Sequence, residues 1–148
     1  GFQIAMGADI RIAAPDARLS VLEIKWGLIP DCSVTQTLRD LVRLDVAKEL
    51  TFTGRIVEGI EAAELGLVTR VSASPLETAM EMAETIASKS PNAIRFGKQL
   101  FEETWRGDRN EGLLLESTFG RQLIGSVNQI EAVKSNFEKR PPQFMDPD

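Results

Sequence analysis

Two carboxylates in one short segment are the side chains best suited to chemistry. Glu23 lies in an otherwise apolar stretch from Leu19 to Pro30, and Asp31 directly follows the proline. Removing a glutamate from water raises its pKa toward the range of a general acid or base at neutral pH. The residues around it nevertheless favour a plainer interpretation of Glu23, a carboxylate on the wet face of a strand in line with Lys25, because Glu is rarely fully buried.

Three further polar residues are candidates for the same site or for substrate binding. A loop can bring Asp31 to the pocket of Glu23, where mutual repulsion separates the two pKa values, but Asp31 equally suits a turn or a helix cap. Gln3 can donate and accept hydrogen bonds without exchanging a proton; its plainer role is a polar residue near a helix start. Lys139, beside Arg140, is a candidate for binding a phosphate, although two adjacent basic residues usually mark only a surface.

The composition excludes several kinds of site. The 148 residues contain no His and one Cys, Cys32, which we interpret as a small buried hydrophobe without a role. The chain alone therefore supplies neither a Ser-His-Asp triad nor an imidazole metal ligand, and we expect no metal. A net charge of −5 argues against a nucleic-acid surface. No apolar run reaches the ~20 residues of a membrane span, and no leader precedes the chain, so we expect a cytoplasmic protein.

The elements that must position these side chains change in character along the sequence. Residues 1–8 predict the buried start of a helix, residues 9–14 a strand and residues 17–24 an extended segment. A helix is predicted over 33–44, and a second short helix is predicted to begin after Asp45 as its cap. A further helix is predicted over 60–65, where Gly66 ends it. From residue 74 onward the pattern is helical, with starts at Ser74-Pro75 and Ser90-Pro91 and a cap at Asn128. We therefore predict an α/β region at 1–73 and a helical region at 74–148.

Several segments carry a recognisable pattern: GFQIAMGADIR at 1–11, EIKWGLIP at 23–30, AKELTFTG at 47–54 and FEKRPP at 137–142. Together they resemble the crotonase superfamily, the enoyl-CoA hydratases and isomerases. The resemblance covers nearly the whole chain and implies its carboxyl-terminal portion: the last part of a spiral of β-β-α turns, followed by helices that build trimers or pairs of trimers.

The resemblance also implies a reaction class. Members of this family hold an acyl-CoA thioester in an oxyanion hole and stabilise an enolate-like state, in reactions such as those of fatty acid beta-oxidation. One oxyanion donor would come from an upstream half and the other from a glycine just before Gly1, so this chain alone is expected to be inactive. Gly1 itself is expected to contact substrate. No cofactor is expected, because coenzyme A is part of the substrate; the expected partners are that substrate and further copies of the chain.

The family's hydratases use two glutamates, and their positions match Gln3 and Glu23. Because Gln3 cannot act as a base, the preferred hypothesis is isomerisation by Glu23 with help from Asp31, which resembles an aspartate of dienoyl-CoA isomerases and 3-hydroxyisobutyryl-CoA hydrolases. Gln3 would orient substrate or water, and Lys139 matches a lysine that reaches the CoA phosphates. Where hydratases carry glycines after Pro30, this chain has other residues. Water addition, thioester hydrolysis and a non-catalytic CoA-binding or assembly module remain alternatives.

Overall fold

The computed structural model describes residues 1–147, and packing divides the chain into two units. The first unit is Gly1–Met80 and the second begins at Glu81, so the division lies within one helix, Pro75–Ala87. The boundary predicted from the sequence, between residues 73 and 74, precedes that helix and stays a prediction.

Short helices alternate with two-residue strands in the first unit. Its elements are α1 (Phe2–Ala5), β1 (Ile12–Ala13), β2 (Arg18–Leu19), a 3-10 helix (Glu23–Trp26), α2 (Val34–Leu41), α3 (Leu44–Thr53), β3 (Val57–Glu58), α4 (Gly59–Leu65) and β4 (Arg70–Val71). Strands β1 and β4 pair in parallel, whereas β2 and β3 pair antiparallel. The mixed α/β character expected for this half is confirmed.

The core of the first unit is aliphatic and lies among these elements. Its fully buried side chains are Met6, Val21, Val34, Leu38, Leu50, Val57, Ala62, Leu67 and Val68. Helix α2 contributes residues 34 and 38, which share one helix face because they are four positions apart. Gly66 ends α4 in the left-handed conformation, as the sequence predicts.

Helix α4 begins in unusually close contact with the turn after β1. A Cβ atom at Gly59 would come within 1.9 Å of the carbonyl oxygen of Ala14. No side chain fits at that distance, so this residue must be a glycine for α4 to approach the first strand.

The second unit is helical. Its elements are the end of α5 (Pro75–Ala87), then α6 (Pro91–Thr104), α7 (Arg109–Leu123) and α8 (Val127–Glu138). The side chains of Ser90, Asp108 and Ser126 cap α6, α7 and α8 by accepting backbone N–H groups. Helices α6 and α7 pack through the stacked rings of Phe96 and Phe119, whose centroids are 4.8 Å apart. The start predicted at Ser90-Pro91 is confirmed.

Two predicted caps are wrong. Asn128 lies inside α8 because Ser126, two residues earlier, accepts the N–H of Gln129. Asp45 lies in the first turn of α3 rather than before it, and its carboxylate pairs with Arg43 at 2.8 Å.

The predicted extended segment at 17–24 is correct only at β2, and its end is wrong. Residues 23–26 form a 3-10 helix, which Gly27 terminates with a φ of 69°. The N–H groups of Gly27 and Leu28 donate to the carbonyls of Ile24 and Glu23, and these local bonds replace strand pairing. Across residues 1–147, no helix has the length and apolar character needed to cross a bilayer, and no acidic, Cys or His cluster suits a metal ion.

Candidate functional site

Glu23 begins the 3-10 helix, so a tight turn rather than a strand positions its carboxylate. Helix α3 packs against this turn, and Gly54 at the end of α3 makes the close approach. A Cβ at Gly54 would lie 2.8 Å from a methyl carbon of Ile24, and the residue has a φ of 59°. Ser20 donates its hydroxyl to the carbonyl of Gly54 at 2.9 Å. These contacts fix the backbone on both sides of Glu23.

Gln3 and Glu23 contact each other directly. Gln3 lies on α1 and is buried, with 8% of its surface exposed. Its side-chain amide N–H donates to Oε1 of Glu23, which lies twenty positions later in the sequence. The amide therefore holds the carboxylate in one orientation, and the plainer interpretation of Glu23 as a solvated strand residue does not describe this geometry.

The contact leaves two acceptor oxygens without a partner. Within residues 1–147, Oε1 of Gln3 and Oε2 of Glu23 have neither solvent exposure nor a hydrogen bond. A buried acceptor without a donor is costly, and such groups in a folded protein mark strain or an absent partner. The pair therefore presents two acceptor oxygens: Oε2 of Glu23 belongs to a group that can take a proton, and Oε1 of Gln3 belongs to an amide that cannot.

Asp31 lies in a loop with an unusual backbone. Cys32 and Ser33 have φ values of 44° and 59°, in the left-handed region that favours glycine. The carbonyl of Asp31 accepts the N–H of Val34 at 3.0 Å, which closes the turn before α2. Side-chain capping of α2 by Asp31, one of the roles considered, is absent; the N-cap is Ser33.

The side chains of this loop are exposed, including Asp31. Asp31 accepts a hydrogen bond from the Cys32 thiol, and this bond and the negative charge raise the pKa of that thiol. Glu23 adds a smaller upward effect, which places its carboxylate within electrostatic range of the loop. The expectation that Cys32 is buried is wrong, because the left-handed turn holds it outside the core.

The remaining two candidates lie elsewhere. Gly1 is exposed and is the N-cap of α1, where its carbonyl accepts the N–H of Ala5 at 3.0 Å. Lys139 belongs to the second unit, where it ends α8 with a φ of 53° and an exposed side chain. The structure therefore brings Gln3 and Glu23 together, places Asp31 in an exposed loop where it contacts Cys32, and assigns Lys139 to the other unit.

Sequence reasoning missed the contacts that Glu131 and Asn128 make near Lys139. Glu131 accepts two hydrogen bonds from Arg140, and Asn128 binds the backbone of Met145. The only sequence signal was the position of Asn128 near the start of a helix. An Asn there can cap the helix or bind the backbone of another segment.

Comparison with known proteins identifies the origin of this arrangement. The family model for enoyl-CoA hydratase/isomerase matches residues 1–147. The chain belongs to the enoyl-CoA hydratase/isomerase family.

Individual relatives agree with that assignment. The chain is 34% identical to enoyl-CoA hydratase domain-containing protein 2, mitochondrial, of Mus musculus, over 98% of this chain and 51% of the relative. It is also 34% identical to the short-chain-enoyl-CoA hydratase of Clostridium acetobutylicum, over 95% of this chain and 54% of the relative. The crystal structure of an enoyl-CoA hydratase from Bacillus anthracis superimposes with a TM-score of 0.91 at 35% identity, over 97% of this chain and 57% of that one.

The crotonase fold expected from the resemblance is thereby confirmed, and the chain spans about half the length of these relatives. Its two units correspond to a carboxyl-terminal portion of an enoyl-CoA hydratase/isomerase, as the sequence predicts.

Proposed function

We propose that the protein acts on acyl-CoA thioesters and that Glu23 is the group that moves the proton. The supporting observation is its half-buried carboxylate, with one oxygen held by Gln3 and the other buried and unpartnered. Such a carboxylate suits a general base. The hydrogen bond to one oxygen fixes the orientation of the group, and the other oxygen can still accept a proton.

Isomerisation of the carbon–carbon double bond is the reaction that this pair favours. The free oxygen of Glu23 takes a proton from the carbon next to the thioester carbonyl, and the electron pair moves onto the carbonyl oxygen. The electron pair then returns from the carbonyl oxygen to form the conjugated double bond, and the same carboxyl group gives the proton to the carbon that was the far end of the original double bond. One ionisable group suffices for this sequence, and Gln3, which cannot ionise, keeps that group in position. The oxyanion donors are those that the family resemblance assigns to residues before Gly1.

Asp31, Gly1 and Lys139 have supporting roles in this proposal. Asp31 assists the proton transfer from its loop, where it contacts Cys32, a residue that the charge of Glu23 also reaches. Gly1 contacts substrate from the turn before α1, and Lys139 binds a CoA phosphate.

The proposal is tested with Glu23→Gln in the full-length protein, assayed for conversion of a 3-enoyl-CoA to its conjugated isomer. The variant keeps the shape of the side chain and loses the base, so kcat is expected to fall about 10²- to 10⁴-fold. Gln36→Glu, an exposed change on α2, serves as a control for surface charge. A rate unchanged in the Glu23 variant would exclude that residue as the base.

Hydration is the second candidate, and the two unpartnered oxygens favour it specifically. A water molecule carries two donors, so it can satisfy Oε1 of Gln3 and Oε2 of Glu23 together. Glu23 would then deprotonate that water during addition to a 2-enoyl thioester. Crotonyl-CoA distinguishes two of the reactions: loss of its conjugated absorbance supports hydration, and release of free CoA thiol indicates hydrolysis. Binding of both crotonyl-CoA and a 3-enoyl-CoA without conversion of either indicates a non-catalytic module.

The assembly and location of the protein are also proposals. Many large apolar side chains are exposed in residues 75–147, such as Leu114, Trp105 and Ile124. Exposed apolar surface on this scale is typical of association, which supports a homotrimer or a pair of trimers. We retain a role in beta-oxidation and a cytoplasmic location as predictions, although the Mus musculus relative is named as mitochondrial.

A further inference from the structure

Lys139 has a backbone conformation that its side chain disfavours. It follows α8 in the left-handed region, with a φ of 53°, at a position where helices usually end in glycine. Its N–H donates to the carbonyl of Asn136, and the next N–H donates to the carbonyl of Ser135. A lysine remains in this conformation only where the surroundings hold it there, and such residues often lie at ligand clamps.

Arg140 holds the chain immediately after Lys139. Its guanidinium donates two hydrogen bonds to the two carboxylate oxygens of Glu131, at 2.6 and 2.9 Å, and a third to Glu138 at 2.6 Å. Paired bonds between a planar guanidinium and a carboxylate restrict both groups to one geometry. Glu131 also accepts the N–H of Gln143 at 2.7 Å, so one carboxylate fixes the backbone on the far side of Lys139 as well.

Asn128 fixes the rest of this terminal segment, residues 140–147, which we call the strap. Its side chain is 4% exposed, accepts the N–H of Met145 at 2.8 Å and donates to the carbonyl of the same residue at 2.8 Å. It also donates to Asn92 of α6 at 2.6 Å, which ties the strap to a second helix.

The ammonium group of Lys139 takes no part in these contacts. The side chain is exposed, and within the described part of the chain it has no ion-pair partner. The molecule therefore fixes the backbone of a strained lysine from both sides and leaves its charge free. That combination suits the capture of an anion, since a pre-positioned charge loses less conformational freedom on binding.

We propose that Glu131 is a positioning residue, which acts through Arg140 and the strap to hold Lys139 for a phosphate of coenzyme A. This inference rests on the proposed function, because that function supplies the phosphate. Glu131 does not touch the ligand in this proposal; its carboxylate sets the direction from which the ammonium of Lys139 approaches.

The test is a thermodynamic cycle on the full-length protein, with crotonyl-CoA as the ligand and its dissociation constant as the readout. Lys139→Ala is expected to weaken binding about fivefold, the upper range for an exposed charge pair. Glu131→Gln is expected to weaken it about threefold. The double variant should bind no more weakly than Lys139→Ala alone, because a positioning residue has no effect once its target is gone.

Kinetics separate this role from a merely structural one. Glu131→Gln should raise KM and leave kcat unchanged, since the proton transfer at Glu23 is untouched. Glu49→Gln, which breaks a comparable pair with Arg55 on α3, is the matched control and should change neither constant. If Glu131→Gln does not fold, Arg140→Lys keeps the charge but loses the fork, and takes its place in the cycle.

Three outcomes would overturn the inference. Positioning through Lys139 would be excluded if the losses of affinity for crotonyl-CoA multiply in the double variant. It would also be excluded if a folded Glu131→Gln or Arg140→Lys protein binds crotonyl-CoA as tightly as wild type. Both results leave the proposed function intact. A wild-type protein that binds no CoA thioester would overturn both proposals together.

Discussion

The Gln3–Glu23 contact determines which proton chemistry the first unit can perform. An amide donor holds one carboxylate oxygen, and the second oxygen stays buried and free. A second carboxylate at position 3 would share a proton with Glu23, because like charges in contact cannot both ionise. The identity of residue 3 therefore sets the charge of the site as well as its hydrogen bonds.

Gln3→Glu should make this dependence visible. We expect the variant to gain hydration of crotonyl-CoA relative to isomerisation, because a second carboxylate beside Glu23 is another group that can exchange a proton. The ratio of the two rates is the measurement. Gln3→Met, of similar shape and without charge, is the control; it should lower activity without raising that ratio. An unchanged ratio in Gln3→Glu would argue against residue 3 as the residue that selects the reaction.

The sequence identified the residues of this pair but not their contact. Glu23 was recognised from its apolar surroundings and Gln3 from family resemblance, and their positions twenty residues apart carry no periodicity that predicts a hydrogen bond. The loop after Pro30 shows the opposite problem. Its side chains differ from the glycines of the hydratases, yet Cys32 and Ser33 keep the left-handed backbone that glycine would adopt freely.

At the scale of elements, the fit between α4 and the turn after β1 depends on one glycine. Gly59→Ala would place a methyl group 1.9 Å from a carbonyl oxygen, which the backbone can accommodate only by moving. We expect a loss of about 3 kcal/mol in the free energy of unfolding, measured by urea denaturation.

Gly97 in α6 provides the matched control for this substitution. A Cβ there meets nothing within 4 Å, so Gly97→Ala should stabilise the protein by about 0.5–1 kcal/mol through helix propensity. Equal effects of the two substitutions would show that close packing is not what Gly59 provides.

The Glu131–Arg140 pair gives the second unit a defined acid sensitivity. Hydrogen bonds from Arg140 and from the N–H of Gln143 lower the pKa of Glu131 from 4.5 to about 2. A carboxylate with a lowered pKa in the folded state stabilises the protein above its unfolded pKa, and this contribution is lost as the pH falls. Glu131→Gln should therefore be less stable than wild type at pH 6, and the difference should shrink between about pH 4.5 and pH 2.

Urea denaturation across this pH range measures the difference, with Glu116→Gln on the exposed face of α7 as the control. The control should remain parallel to wild type. A gap between Glu131→Gln and wild type that stays constant down to pH 2 would contradict the assigned role of the ion pair.

The sequence predicted the ends of helices correctly where a residue type has one strong conformational preference. Ser90 before Pro91 and Gly66 after α4 each admit one interpretation, and both are confirmed. The end of the extended segment and the cap at Asn128 failed for a shared reason: short-range hydrogen bonds competed with the expected structure. Gly27 allows the turn at Glu23, and Ser126 caps α8 before Asn128 can.

At the scale of the whole molecule, the family assignment and the length of the relatives determine which form of the protein an activity assay requires. The chain spans about half of each relative, and the resemblance places both oxyanion donors outside it. We therefore expect the 148-residue chain, expressed alone, to show no turnover of crotonyl-CoA or a 3-enoyl-CoA, while the full-length protein turns over one of them. Measurable turnover by the chain alone would show that a donor of the oxyanion hole lies within it.

The parallel pairing of β1 with β4 also has a consequence for biosynthesis. In the register of the two strands Ile12 is paired with Arg70, roughly sixty residues later in the chain. At about 5–20 residues per second, the ribosome delivers β4 some seconds after β1 has emerged. Until Val71 has left the ribosome, the backbone groups of β1 that face β4 have no partner from that strand, so this pairing can form only after synthesis of the intervening helices.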